Sequence, residues 1–204
     1  MTEHIQALHL RGPSEHSVRD QIVESATGHF GRYGYGKTTV SNLAKSIGFS
    51  KAYIYKFFDS KQAIGEVICA NRLATVMEIV DAMVSDAPTA SGKLRSLFRG
   101  LIEAGSDLFF YDRKLYDIAA VAARERWPSV RLHEERLREV ITQIILAGRE
   151  EGEFERKTPL DEVVGAIYLV TCPYINPGQL QYNLDGMREA SMHLTALILR
   201  SLAP

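Results

Sequence analysis

The chain has 204 residues, of which 46% are hydrophobic and 24% charged, and its net charge is −1. This composition is typical of an ordinary soluble protein with a core in one domain or two small ones. It excludes a membrane protein, because no apolar run approaches the roughly 20 residues of a membrane helix. Residues 1–17 also lack the basic and apolar regions of a signal peptide. We therefore expect a cytoplasmic protein.

Cysteine and histidine usage gives no indication of a metal site or a cofactor. Cys69 and Cys172 form no close-spaced pattern and are too few for a disulfide framework, so we expect two reduced thiols. The six histidines are scattered, without an H-x-x-x-H pair. We expect neither a metal nor a cofactor.

Charge divides the chain into two parts. Residues 1–61 carry eight Lys/Arg and five Asp/Glu, whereas residues 62–204 carry sixteen and twenty. The first part therefore has a net charge of +3 and the second of −4. A local basic surplus suits a small module that binds phosphates, although a solvated face would look the same.

The first predicted helix runs from about residue 18 to residue 33. Val18, Ile22, Ala26 and Phe30 recur every four residues, which is the spacing of an amphipathic helix and not of a strand. We expect this helix to end near Gly34.

A phosphate-loop pattern overlaps the end of this helix. The stretch GRYGYGKT, residues 31–38, satisfies G-x-x-x-x-G-K-[ST]. A phosphate loop must follow a buried strand and open a helix. The segment before Gly31 instead carries Glu24, Thr27 and His29, where a buried strand is nearly all apolar. The glycines favour a tight turn, and a nucleotide-binding enzyme is kept as an alternative.

A helix-turn-helix follows the turn. Thr38 or Thr39 can cap a helix that begins near residue 40. Gly48 can end that helix in a left-handed conformation, and Ser50 can cap the next one. The apolar residues that would hold the pair together are Leu43, Ala44, Ile47, Phe49, Ile54 and Phe57.

The second helix of such a motif places its N-terminal side chains in the major groove. These residues are Lys51, Ala52, Tyr53, Tyr55 and Lys56. Lysine can donate to guanine, a small alanine can meet a thymine methyl, and the tyrosines and Lys56 can hold phosphate oxygens. The alternative for the two tyrosines is simple packing.

The run from Gly34 to Ile64 resembles the tetracycline-repressor (TetR) family of bacterial transcription regulators. The resemblance implies an all-α fold. An N-terminal arm and three-helix DNA-binding domain would occupy residues 1–61, and an effector-binding and dimerisation domain would occupy residues 62–204. It also implies DNA contacts at Thr38, Thr39, Ser50, Lys51, Tyr53, Tyr55, Lys56 and Lys61. The Lys-Ala-Tyr of residues 51–53 departs from the small residues common there, so the operator sequence is not predicted.

The remaining chain predicts six further helices, separated by proline and glycine. They run from about Lys61 to Val84, Gly92 to Phe110, Arg113 to Arg126, Val130 to Glu151, Leu160 to Thr171, and Asp185 to Leu202. The last two are apolar on more than one side and must be buried on both. With the resemblance, this predicts a four-helix interface of a C2 homodimer. The predicted interface residues are Val164, Ile167, Leu194, Leu197 and Ile198. Interior helices of a monomer are the alternative.

Aromatic and apolar residues of the C-terminal part suggest an effector pocket. The candidate lining residues are Phe98, Leu101, Ile102, Gly105, Phe109, Tyr116, Trp127, Ile144, Cys172 and Tyr174. Such a pocket would favour a small hydrophobic or aromatic molecule. An ordinary packed core predicts the same residues.

Candidate catalytic residues are few. His133, Glu134 and Glu135 fall in RLHEERLRE, which indicates an exposed helix face, with both glutamates at pairing distance from Arg138. No nucleophile, base and orienting group form a recognisable set. We therefore predict a non-enzymatic, ligand-responsive repressor that binds a near-palindromic operator as a dimer and is released by its effector. A helical protein-interaction adaptor is the alternative.

Overall fold

The structure, a computed structural model, describes residues 15–184 and 186–204, which contain helices and no strand. The helices are α1 (Glu15–Tyr33), α2 (Val40–Ile47), α3 (Lys51–Ile54), α4 (Lys61–Ser85), α5 (Ala90–Tyr111), α6 (Arg113–Glu125), α7 (Pro128–Glu150), α8 (Leu160–Ile175), α9 (Pro177–Leu180) and α10 (Met187–Ser201). The all-α prediction is confirmed. Most of the predicted N-terminal arm, residues 1–14, lies outside the described residues.

A first hydrophobic cluster joins the N-terminal helices to the middle of the chain. Phe30, Leu43 and Ile54, from α1, α2 and α3, are all but inaccessible to solvent. Ile118 of α6 and Trp127, between α6 and α7, belong to the same cluster. This core therefore crosses the predicted domain boundary at residue 61, and that boundary stays a prediction.

A second cluster is formed by the later helices. It contains Leu97 of α5, Ile141 of α7 and Ile167 of α8, together with residues of α4 and α10. A small third cluster, which includes Tyr116 and Leu180, lies where α6 packs against α9. Helices α4 and α7 each contribute to both large clusters, and α4 is the one that follows α3 directly along the chain.

The chain after Thr171 differs from the prediction. Helix α8 continues through Pro173 to Ile175 and is followed by the short helix α9, where we expected an irregular break. Asn176 explains the new start, because its Oδ1 accepts a hydrogen bond from Gly178 N at 2.8 Å, and Pro177 suits a first helical position. The predicted start of the last helix, residue 185, lies outside the described residues.

Candidate nucleic-acid interface and ligand cavity

The helix-turn-helix of α2 and α3 depends on three local features. Thr39 Oγ1 accepts a hydrogen bond from Asn42 N and caps α2. Gly48 ends α2 with φ of 79°, a left-handed conformation that glycine adopts without strain. Ser50 Oγ then accepts from Tyr53 N at the start of α3. The predicted helix-turn-helix is confirmed.

The exposed side of α3 is basic and aromatic. Lys51, Ala52, Tyr55 and Lys56 are exposed, and Lys51 Nζ lies 5.6 Å from the ring centroid of Tyr55. Tyr53 is half-buried, because its ring packs edge-on against both Phe49 and Phe57. We call Lys51, Ala52, Tyr55 and Lys56 the reading surface. They stay predicted DNA contacts, and Tyr53 has mainly a packing role here.

Two of the predicted contacts point elsewhere. Thr38 is 2% exposed and its Oγ1 donates to Gly34 O at 2.8 Å, so the structure corrects its predicted DNA contact. Lys61 Nζ donates to Tyr35 O at 2.9 Å and lies 4.2 Å from the Tyr35 ring centroid. Burial lowers the pKa of Lys61. This lysine is half-buried at the start of α4 and has an internal partner.

The phosphate-loop pattern lies in a different structural context from the one that its chemistry requires. Gly31 is inside α1, which runs on to Tyr33. Gly34, with φ of 86°, then begins a turn, and the amide of Thr38 donates to Tyr35 O. No strand leads into the pattern, since the segment before it belongs to α1. The arrangement does not resemble a strand, a phosphate-binding loop and a helix.

A cavity of about 90 Å³ lies between the two large clusters. Its walls come from α4 to α8 and from the start of α9. The apolar lining includes Ile68, Leu73, Val76, Leu101, Leu108, Leu115, Ile118, Val130, Leu137 and Ile175. A cavity of this size has room for several water molecules or a compact organic ligand.

Most of the predicted pocket residues lie elsewhere. Of the ten, the cavity lining contains Leu101 and Gly105. Trp127 belongs to the first cluster, Phe98 and Ile144 to the second, and Ile102, Phe109, Tyr116 and Tyr174 to the third or its rim. Cys172 is half-buried, and its Sγ lies 3.8 Å from Gln179 Nε2. These large side chains pack between helices instead, as the alternative of an ordinary core predicts.

Polar residues that the sequence analysis placed on an exposed face line the cavity instead. His133 and Glu134 are half-buried there, so the predicted exposed face of α7 is wrong at these two positions. His133 Nδ1 is buried without a hydrogen-bond partner among the described residues. Burial lowers the pKa of His133, partly offset by the negative charge of Glu134. The imidazole is therefore neutral near pH 7.

Tyr168 and Arg138 complete this polar end of the cavity. Tyr168 of α8 lines the cavity, and the guanidinium carbon of Arg138 lies 3.9 Å from its ring centroid. Burial, followed by the negative charge of Glu134, raises the pKa of Tyr168 and of Cys172. Arg138 thus stacks on an aromatic ring, whereas the sequence predicted pairing with Glu134 and Glu135.

The predicted dimer residues are mostly interior. Val164, Ile167 and Ile198 are at most 7% exposed and pack in the second cluster, so the structure corrects these three. Leu194 is half-buried and packs against the same cluster, and its place at the interface stays a prediction. Leu197 is 57% exposed. The other exposed apolar residues on the same two helices are Leu169, Val170 and Met192. A helix that is apolar all round has one side in the chain's own core, and sequence does not say which.

Two further findings concern the described residues. In this part of the chain, no group of three or more His, Cys, Asp or Glu side chains is placed to hold a metal ion. Within the same residues, every helix is too short or too polar to cross a bilayer.

Comparison with known families assigns both halves of the chain. Residues 22–67 match the family described as bacterial regulatory proteins, tetR family. Residues 90–193, half of the chain, match the tetracyclin repressor-like C-terminal domain. The first match covers α2, α3 and the start of α4, and the second covers most of the cavity and α8.

Individual similar proteins are consistent with these family matches. The biofilm operon icaADBC negative transcriptional regulator IcaR of Staphylococcus aureus is 41% identical over 49 residues, which are 24% of this chain and 26% of IcaR. The match thus spans about a quarter of that relative. The fatty acid degradation regulator FadR of Bacillus halodurans has a TM-score of 0.66 at 16% identity, over 93% of this chain and 97% of that one. Thermus thermophilus FadR, a TetR-family repressor in complex with lauroyl-CoA, has a TM-score of 0.65 at 20% identity, over 91% and 95%.

Proposed function

This chain belongs to the TetR family of bacterial transcription regulators, and from that premise we propose that it is a ligand-responsive repressor which binds a near-palindromic operator as a homodimer. The observation that carries the proposal is the reading surface, which presents two lysines and a tyrosine on a correctly capped helix-turn-helix. Its place of action is the cytoplasm, where bacterial DNA lies.

The reading surface has the chemistry of major-groove recognition. Lys51 and Ala52 are exposed in the first turn of α3, where such a motif contacts base edges, and we assign Tyr55 and Lys56 to the phosphates. Thr39 and Ser50 are exposed caps, and their hydroxyls remain able to donate to phosphate oxygens. Binding should therefore weaken steeply with salt, by a log-log slope of about −0.9 per phosphate contacted.

Dimerisation uses the exposed apolar residues of α8 and α10. Leu169, Val170, Met192 and Leu197 are 45–68% exposed, and the two helices contact each other. Pairing these helices with those of a second copy buries the four side chains in a four-helix interface. Two copies of α3 can then reach half-sites about 34 Å apart.

The cavity is positioned to couple an effector to DNA. Its walls combine the first cluster, through Ile118 and Val130, with the second, through Leu101 and Leu137. A ligand that enlarges the cavity moves one cluster relative to the other. Helix α4 contributes to both clusters and follows α3, so it can transmit this movement to the reading surface. If that movement changes the distance between the two reading surfaces of the dimer, the ligand lowers the affinity for the operator. The operator then lowers the affinity for the ligand by the same factor, about 5- to 150-fold.

The effector is a small hydrophobic or aromatic molecule. The mostly apolar lining supports this class. The regulator from Thermus thermophilus, which has the same fold, was solved with lauroyl-CoA, a molecule with a long apolar chain. That ligand is far larger than the cavity in this chain, so we propose a more compact effector.

Selection of genomic DNA fragments by the purified full-length protein tests this function. The best fragment is titrated by fluorescence anisotropy against wild type, Lys51→Ala and Tyr55→Ala, with the exposed and distant Lys157→Ala as control. We expect a near-palindromic site whose affinity falls about 10-fold in each reading-surface variant and is unchanged in the control. A folded dimer that enriches no sequence would instead indicate a protein-interaction adaptor.

A further inference from the structure

The polar residues at one end of the cavity restrict the class of ligand more narrowly than the apolar walls do. We propose that it takes a compact apolar molecule with a neutral hydroxyl group, such as an alkylphenol, and that it discriminates against the matching carboxylate. This inference rests on the proposed function, since it names the effector class of the same cavity.

One buried nitrogen in the cavity lining is unsatisfied. His133 lines the cavity, and its Nδ1 has no hydrogen-bond partner among the described residues. A buried polar atom without a partner costs free energy that a ligand can recover by supplying the missing hydrogen bond. The imidazole is neutral, so one ring nitrogen accepts and the other donates.

The residue next to His133 in the lining carries a negative charge. Glu134 lies next to His133 in the lining, and its negative charge acts on His133, Tyr168 and Cys172. A carboxylate only accepts hydrogen bonds, so Glu134 attracts a donor and repels an anion.

Two cations are nearby. Arg72 of the lining is exposed, so water screens its attraction for an anion. Arg138 stacks on the Tyr168 ring, and its charge acts on Tyr168 and Cys172 in the opposite direction to Glu134 but with a smaller effect.

Asn176, at the end of α8, supplies a donor to the same cavity. Asn176 lines the cavity and uses its Oδ1 to cap α9, where it accepts from Gly178 N. Its Nδ2 donates to no described residue and remains available. A hydroxyl both donates and accepts, so it can satisfy Glu134 or His133 together with Asn176. A carboxylate offers acceptors alone and places a second negative charge beside Glu134.

The test uses three probes that share an ethylbenzene core: 4-ethylphenol, 4-ethylbenzoate and ethylbenzene itself. Each is titrated into the full-length protein without DNA by isothermal calorimetry at pH 7.5. Fluorescence of Trp127, the single tryptophan, which packs in the same cluster as the cavity wall, provides a second readout. We expect 4-ethylphenol to bind about 10-fold or more tightly than ethylbenzene, because it gains a hydrogen bond to a charged acceptor. We expect 4-ethylbenzoate to bind more weakly than 4-ethylphenol.

Variants locate the cause. Glu134→Gln removes the charge with little change of shape, so 4-ethylphenol should lose affinity and 4-ethylbenzoate should gain it. Glu135→Gln, the exposed neighbour on α7, is the matched control and should leave the ranking unchanged. Should Glu134→Gln not fold, the ranking of the three probes on the wild-type protein still decides.

Three outcomes would overturn the inference: tightest binding of 4-ethylbenzoate, equal binding of ethylbenzene and 4-ethylphenol, or no binding of any probe. Because ligand binding is measured without DNA, its result is independent of the operator experiment. A protein that binds 4-ethylphenol and no DNA loses the proposed function alone, and one that binds its operator and none of the probes loses this inference alone.

Discussion

The helix-turn-helix and the ligand cavity differ in how far apart in sequence their determinants lie. The caps of α2 and α3 are made by Thr39 and Ser50 with residues three positions away. The cavity brings together residues as distant as Ile68 and Pro177. A surface built from short-range contacts can be recognised from a local pattern, whereas a cavity depends on how whole helices pack.

The largest expected effect comes from removing a large buried side chain that packs the later helices against the N-terminal ones. Trp127 is 1% exposed, and its ring centroid lies 5.7 Å from that of Tyr35 in the first cluster. Trp127→Ala should lower the free energy of unfolding by about 3–5 kcal/mol, because it leaves a large cavity. Urea denaturation followed by circular dichroism measures this.

Leu132→Ala is the control, since Leu132 is 66% exposed. It should change the free energy of unfolding by less than about 0.5 kcal/mol. Equal effects of the two variants would contradict the role of Trp127 in the first cluster.

Dimerisation should be the next largest effect. Leu197→Lys introduces a charge into the proposed interface while sparing the chain's own core, because Leu197 is 57% exposed. We expect the dimer dissociation constant to rise by at least about 10-fold, since an unpaired charge is costly to bury. Sedimentation equilibrium measures the dissociation constant, and operator affinity should fall with it.

The matching control for dimerisation is Leu132→Lys, which places the same charge at an exposed leucine of α7. It should leave the dimer intact. Dissociation by Leu132→Lys and not by Leu197→Lys would move the interface from α8 and α10 to α7.

A smaller effect tests the turn between α2 and α3. Gly48 has φ of 79°, and Gly48→Ala should cost about 1–2 kcal/mol of stability because a Cβ disfavours the left-handed region. Gly28→Ala, inside α1 with no atom within 4 Å of the added Cβ, should instead stabilise by up to about 1 kcal/mol. Thermal unfolding of both variants gives the comparison. Similar shifts in one direction would contradict the role of Gly48 in the turn.

The smallest expected effect is on the pH dependence of the unfolding free energy, through His133 in the cavity. Burial lowers the pKa of His133 in the folded state below its ordinary value of 6.5, so the unfolded chain takes up a proton first as pH falls. Stability that is present above pH 6.5 is then lost between pH 6.5 and the lower folded pKa. Unfolding free energies measured from pH 8 to pH 5 should fall less steeply in His133→Gln than in wild type. Leu132→Ala, at an exposed site on the same helix, adds no titratable group and should keep the wild-type slope.

Sequence reasoning succeeded where a few neighbouring residues set the structure. It predicted the cap of α3 at Ser50, the end of α2 at Gly48 and the all-helical fold. It placed His133 and Glu134 on an exposed face, because the spacing of charges along one helix does not show what packs against that helix. It likewise assigned Phe98 to the pocket, although the structure packs it in the second cluster.

The sequence by itself determined most of the helices, the turn chemistry of residues 34–50 and the family, because these depend on side chains that interact with their own neighbours along the chain. The tertiary structure decided which apolar residues of α8 and α10 face outward, that Thr38 is buried while Thr39 is exposed, and that His133, Glu134 and Asn176 share one cavity. Those outcomes depend on the rotation of each helix against its partners, which follows from the packing of the whole core.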